Sequence, residues 1–345
     1  MESITIKDVA RICGVGVSTV SRAINNHPDI NQATKNMIMQ VIREYNYIPN
    51  NSARNLKRSD SKTIAVLIKG ISNPFFSSMI KILEQEVQKK KYSFVLHRVD
   101  EHEDEVDVAL QLVKEKRLKG IIFLGGYFTH RQEKLEQLQV PFVLSTIGIL
   151  DQMDKNIYSS VSVDDFAEAY KMTDYLIGLG HEQILILAAR PEDESIGKLR
   201  LDGYKKALED HGLQTEEENI IYMQDNVESY TMESGYLSMK KAIEDKRKAT
   251  AVFAISDSLA IGACKAILEA GKRIPQDYSV AGFDGLDITR FYNPTITTIR
   301  QPVEEMARAT SKILFDVIKQ NSKHKQMIFP GELIVGQSTM GRRQE

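Results

Sequence analysis

The sequence predicts an α/β chain: a small all-α head followed by two doubly wound parallel-sheet lobes. Three observations carry this. From Thr63 onward, short β-like runs alternate with amphipathic helical ones, the pattern of parallel sheets covered on both faces. The alternation comes in two consecutive sets, at about 63–160 and 163–293, and so much chain exceeds one six-stranded sheet. The first 45 or so residues carry only helical periodicity.

In the head, Thr5-Ile6-Lys7-Asp8 fits a capping box. Ile6, Val9, Ala10 and Cys13 then mark one apolar helical face, and Gly14-Val15-Gly16 breaks the helix. A second helix is expected to turn Val17, Val20 and Ile24 inward. It presents Ser18, Thr19, Ser21 and Arg22 outward. A third runs from about Asn31 to Tyr45, with Ile38, Val41, Ile42 and Tyr45 inward. Two short helices joined by a tight glycine turn and closed by a third describe a helix-turn-helix. Its outward face suits a major groove. Short hydroxyls grip phosphates, while an arginine fork pairs with a guanine edge.

Strands are expected at Thr63–Ile68, Ser93–Arg98, Gly120–Leu124, Phe142–Ser145, Ile184–Ala188, Ala251–Ile255 and Ser279–Phe283. The helices between them include Phe75–Lys89, Val106–Lys116, Asp165–Leu179, Lys198–Asp210 and Asp257–Ala270.

The net charge of −2 conceals an asymmetry. Residues 1–58 hold eight basic and four acidic side chains, so the head carries +4 and the remainder −6. A basic module on an acidic body is expected where one end alone faces phosphate. No apolar run reaches the roughly 18 residues of a membrane helix. Two distant cysteines, Cys13 and Cys264, fit a reducing compartment, and the N-terminus lacks an apolar signal core, so a cytoplasmic location is expected. HExxH, GxxxxGK[ST] and GxGxxG are absent, and the two Ser-x-x-Lys matches lack a Lys-Thr-Gly partner. Neither an enzyme nor a cofactor is expected. A plain solute-binding protein would fit the body but not the basic head.

The run from Thr5 through Arg22 to Asn25, and Tyr47-Ile-Pro-Asn-Asn-Ser-Ala-Arg-Asn-Leu-Lys57, resemble the LacI/GalR family of transcriptional repressors. The resemblance extends over the body, whose architecture is periplasmic-binding-protein-like. It implies a DNA-binding domain at 1–48, a hinge helix and linker at 49–60, and an effector-binding, dimerising core at 61–345. The first lobe is expected at about 61–161 plus 295–325, the second at about 162–294 plus 326–345. The implied partners are double-stranded operator DNA, a homodimeric or tetrameric partner copy, and a small effector, a sugar or sugar derivative; a purine or a phosphoprotein co-regulator is the alternative. DNA contacts are implied for Thr5, Val17, Ser18, Thr19, Ser21, Arg22, Asn25, Asn31, Thr34, Tyr47, Asn50, Ala53, Leu56 and Lys57. Leu56 would wedge into the minor groove. Gly16 departs from the family's usual serine and removes one hydroxyl. Effector contacts are implied for Phe75, Phe76, Asp164, Arg200, Tyr230, Asp257 and Asp284, near the carboxyl ends of strands where such sheets bind ligands. Arg200 occupies an R-x-x-G-[FYW] position, and Asp257 and Asp284 follow apolar strands. Ser256, Ser145-Thr-Ile-Gly148 and Gly336-Gln-Ser-Thr339 depart from the family's usual residues, which leaves the effector's identity open.

Overall fold

A computed structural model describes residues 4–24, 27–45, 47, 62–100, 103–126, 132–148, 153–320 and 323–342. Asn25, Asn50, Ala53, Leu56 and Lys57 lie outside the described residues. The chain divides into two compact units, residues 1–61 and 62–345.

The first unit holds α1 (Ile6–Ile12), α2 (Val17–Ile24) and α3 (Gln32–Glu44). Thr5 and Asp8 form the expected capping box, each side chain accepting the other's backbone N–H, at 3.4 and 3.0 Å. Asn31 caps α3 by accepting the N–H of Ala33 at 2.8 Å. Val9, Val20 and Ile38 are wholly buried, one from each helix, and Ala10, Ala23 and Tyr47 close the core around them. Burial of each large aliphatic contributes roughly 1.5–3 kcal/mol. Two inward assignments fail. Val17 and Tyr45 are exposed, because Ala23 takes the α2 position facing the core, and α3 ends before Tyr45 turns inward.

The second unit contains two six-stranded sheets of the same design. The first comprises β1 (Thr63–Ile68), β2 (Ser93–Arg98), β3 (Gly120–Leu124), β4 (Phe142–Ser145), β5 (Ser159–Val163) and β11 (Gln326–Phe329). Its order is β11-β5-β4-β3-β1-β2, every pair parallel. The second comprises β6 (Ile184–Ala188), β7 (Ile220–Tyr222), β8 (Ala251–Ala254), β9 (Ser279–Asp284), β10 (Thr297–Arg300) and β12 (Glu332–Ile334). Its order is β12-β10-β9-β8-β6-β7, with β12 alone antiparallel. The helices are α4 (Phe75–Lys89), α5 (Glu105–Lys116), α6 (Gln132–Glu136), α7 (Asp165–Gly178), α8 (Ile196–Asp210), α9 (Met232–Glu244), α10 (Asp257–Glu269), α11 (Ile288–Phe291) and α12 (Val303–Ile318). Strands such as β3, β6 and β8 are apolar and wholly buried, as expected when helices cover both faces.

The lobe boundaries differ from those expected. Thr297–Arg300 pairs with β9 and stays in the second lobe, although 295–325 was assigned to the first. Gln326–Phe329 pairs with β5 in the first lobe, although 326–345 was assigned to the second. The backbone groups at each sheet edge recruit these late strands, so the chain passes between lobes after β5, β10 and β11. The tail does end on the second lobe, where Val280 donates its N–H to the carbonyl of Ser338 at 2.8 Å.

In both sheets the order reverses beside the first strand, between β1 and β3 and between β6 and β8. The crevice beyond the carboxyl ends at such a reversal is the standard ligand position.

Candidate nucleic-acid interface and effector cleft

On the head, α2 turns Val17, Ser18 and Arg22 to solvent, with Thr19 and Ser21 half-buried beside them. Val20 and Ala23 on the opposite face fix the helix against its neighbours. One short face therefore offers hydroxyls, an apolar methyl pair and a guanidinium. Thr5 and Asn31 are exposed, but each is also a helix cap; Thr34 is half-buried on the first turn of α3. Tyr47, implied as a DNA contact, is 8% exposed within the head's core.

In the second unit a cavity of about 350 Å³ opens between the lobes. The first lobe supplies Lys69, Gly70, Ile71, Asn73, Phe76, Arg98, Val99, Gly125, Gly126 and Thr146, which follow or begin just past strands β1 to β4. The second supplies Ser195 and Ile196 after β6, and Glu228, Ser229 and Tyr230 after β7. The site spans the reversal between β1 and β3 in the first sheet and lies after β6 and β7, on one side of the reversal, in the second.

The walls are fitted closely. Lys69 donates to the carbonyl of Glu103 at 2.7 Å and meets the buried Glu105 carboxylate at 3.4 Å. Gly125 has φ +71°, and a Cβ there would lie 2.7 Å from the Lys69 carbonyl and 2.9 Å from the ring of Phe76. Only glycine lets the strand end pass so near. Thr146 accepts the N–H of Gly125 at 3.2 Å and itself has φ +65°, unusual for a β-branched residue. Phe75 and Phe76 stack edge to face at 5.4 Å; Phe76 reaches the cavity, whereas Phe75 packs into the core without lining it. Two contacts join the lobes at the rim: Ser72 donates to Glu228, and Arg98 lies 3.9 Å from the same carboxylate.

Beside the cavity lies a buried charge network. Arg200, 2% exposed, donates to Asp165 through Nε at 2.9 Å and pairs with it through Nη2 at 2.8 Å. Its Nη1 donates to the carbonyl of Ile255 at 2.5 Å and lies 3.8 Å from Asp284. The guanidinium also stacks 3.7 Å over the Phe283 ring. Asp284 accepts from Gln301 at 2.9 Å and, across the lobes, from Asn73 at 3.3 Å. Asp257 accepts the Thr298 hydroxyl at 2.6 Å and the N–H of Leu286 at 2.7 Å.

Burial pushes the Asp284 carboxyl up to about 6, against the Arg200 charge and two amide donors. Burial and the neighbouring Asp284 raise Asp257 well above the usual carboxylate range. Asp165 is also raised by burial, opposed by Arg200. Burial works against the charge on Arg200, but Asp165 and Asp284 outweigh it and hold the guanidinium protonated.

The structure brings Arg200, Asp257 and Asp284 together, as a supporting network that touches the cleft through Asn73 rather than as cavity lining. Tyr230 and Phe76 do line it. Asp164 sits elsewhere: exposed, it caps α7 by accepting the N–H of Ala167 at 3.0 Å, and the adjacent Asp165 joins Arg200. Sequence reasoning missed Lys69, Arg98, Thr146, Ser195 and Glu228. For Lys69, Arg98 and Thr146 the one available signal was position at or just past the end of a predicted strand, whereas Glu228 follows β7, which no sequence pattern marked.

Known proteins extend both halves. Residues 5–50 match the model for bacterial regulatory proteins of the lacI family, and residues 173–339 match a periplasmic binding protein-like domain. The chain is 42% identical over 331 residues to the HTH-type transcriptional regulator MalR of Clostridium butyricum, covering 95% of this chain and 97% of that protein. It is 31% identical over 340 residues to the HTH-type transcriptional repressor PurR of Pasteurella multocida, covering 98% and 99%. The solved complex of the transcriptional regulator CelR with cellobiose superposes with a TM-score of 0.71 at 26% identity, covering 97% of this chain and 99% of that one. A LacI family regulator from Enterococcus faecium with bound ribose gives 0.69 at 26%, covering 82% and 100%. With an exposed polar face on α2 of its head, a cleft between two lobes, and relatives alike along nearly its whole length, the chain belongs to the lacI family of bacterial regulatory proteins and is a DNA-binding transcriptional repressor.

Proposed function

We propose that this repressor binds a pseudo-palindromic operator as a homodimer and responds to a sugar or sugar derivative held between its lobes. The cavity itself carries the reading. It is walled by both lobes, and it combines aromatic and aliphatic surface from Phe76, Tyr230, Ile71 and Ile196 with convergent donors and acceptors from Asn73, Thr146, Ser195 and Glu228. Hydroxyl-rich ligands need such a mixture. Two relatives of the same fold hold cellobiose and ribose. A ligand touching both walls favours one lobe angle over others, and so biases the heads attached to the first lobe through the hinge.

A thermal-shift panel of monosaccharides, disaccharides, sugar phosphates and purines tests this reading. At least one saccharide is expected to raise the melting temperature, because a ligand of the folded state stabilises it. Stabilisation by purines alone would replace the sugar with a nucleobase.

For the homodimer, the supporting surface lies on the second lobe. Phe291 projects with 80% of its surface exposed, near exposed Ile288. The same lobe carries a groove lined by Met232, Tyr236, Ile261, Leu268 and Tyr292. A knob and a groove on one lobe can complement a second copy across a two-fold axis. Phe291→Glu should therefore move the sedimentation coefficient toward that of a monomer while leaving the melt of the core within about 1 kcal/mol, as for an exposed side chain. An unchanged dimer would remove this face from the interface.

A further inference from the structure

Two loops of the second lobe reach the cavity: 189–195 after β6 and 223–231 after β7. The second brings Glu228, Ser229 and Tyr230, and Tyr230 has φ +59°. A non-glycine residue in the left-handed region is strained and persists only when its surroundings hold it there. Those surroundings centre on Asp193. It is 4% exposed, accepts the Ser195 N–H through Oδ1 at 2.7 Å, and accepts the Tyr230 hydroxyl through Oδ2 at 3.2 Å. Beneath them Gly197 leaves no spare room. A Cβ there would lie 2.6 Å from the Tyr230 hydroxyl and 2.7 Å from Asp193 Oδ2. Arg190 adds a second fastening between the same loops, donating to the Val227 carbonyl at 3.2 Å and meeting Asp225 at 3.3 Å.

We propose that Asp193 is a positioning residue of the effector cleft, tying the start of α8 to Tyr230 and so fixing the wall that carries Glu228 and Ser229. This rests on the reading of the cavity as the effector site. Tyr230 follows by two residues the Glu228 that meets Ser72 and Arg98 of the first lobe, so fixing Tyr230 sets the surface against which the lobes close. Asp193 itself does not line the cavity.

The test is hydrogen exchange on the full-length, ligand-free protein. Asp193→Ala and Tyr230→Phe each remove the Asp193–Tyr230 link and leave the Arg190 contacts in place, and exchange across 224–231 should speed at least tenfold while β6 and β8 keep their wild-type protection. Asp193→Asn retains an oxygen for the Ser195 N–H and an amide for the Tyr230 oxygen, so it should return exchange to within about threefold of wild type. Unchanged exchange at 224–231 in Asp193→Ala would overturn the proposal. So would equal acceleration in β6 and β8, which would make Asp193 a general stabiliser. No ligand enters this readout, so its failure counts against Asp193 alone. A wild-type chain that no saccharide stabilises would count against the sugar reading alone.

Discussion

Arg200→Met should destabilise the two-lobed unit by about 3–5 kcal/mol at pH 7.5, the usual cost of stripping one partner from a buried ion pair. On a unit of this size that corresponds to a melting temperature lower by on the order of 10 °C. Methionine fills the aliphatic path of the arginine but leaves Asp165 without its cation and the Ile255 carbonyl without its donor. It also withdraws the positive charge that partly offsets the burial of Asp284.

The pH dependence identifies the cause. Asp165, Asp257 and Asp284 are all held above the ordinary aspartate range, with Asp284 at about 6. A carboxyl raised on folding favours the folded state fully below its unfolded pKa, and that contribution is lost as pH rises through the folded pKa. Asp284 therefore opposes folding at pH 7.5 and opposes it less at pH 5.5. Without Arg200, Asp165 and Asp284 rise further, so protons replace the missing cation and the deficit should shrink at pH 5.5. Melts of both proteins at the two pH values give the comparison. An equal deficit at both would mean that lost packing, not unpaired charge, sets the cost.

Arg22→Ala should weaken binding to a selected operator by about 1–3 kcal/mol, or roughly 5- to 160-fold. Arg22 is exposed on α2 and belongs to no core cluster, so the head should fold unchanged. Its planar fork suits the two acceptors of a guanine edge, which alanine cannot reach. Anisotropy titrations with duplexes selected from a random library should show base preference relaxed at one position per half-site. An equal loss on selected and random duplexes would reduce Arg22 to a phosphate contact.

Much of this fold is legible in the sequence, and particular residues show where legibility stops. Seven strands stand out because each is a short apolar run between helical periods. Strand β5 does not: its Ser-Ser-Val-Ser-Val is wholly buried, and one of its serines is held by His324 at 3.2 Å. Strands β7 and β12 have three residues each, too few for any period to show. The exchange of β10 and β11 between lobes depends on which sheet edge recruits them, a tertiary choice invisible to local pattern. Arg200 stood out by resemblance, but its role as a buried hub could not, since exposure depends on partners far along the chain. Asp164 and Asp165 are chemically identical neighbours. One step of helix register makes the first an exposed cap and the second the partner of Arg200. The lining of the cleft was hidden for a similar reason. Lys69, Thr146 and Glu228 carry no motif and acquire meaning only when two sheets face each other.

The central claim is that ligand in the cleft and DNA on the head report on one another. Operator anisotropy measures this most directly, titrated with wild-type protein in the absence and presence of the saccharide that most raises its melting temperature. Coupling between the two sites predicts an operator affinity changed at least fivefold, with the operator changing saccharide affinity by the same factor. A saccharide that saturates the cleft while leaving operator affinity unchanged would contradict it.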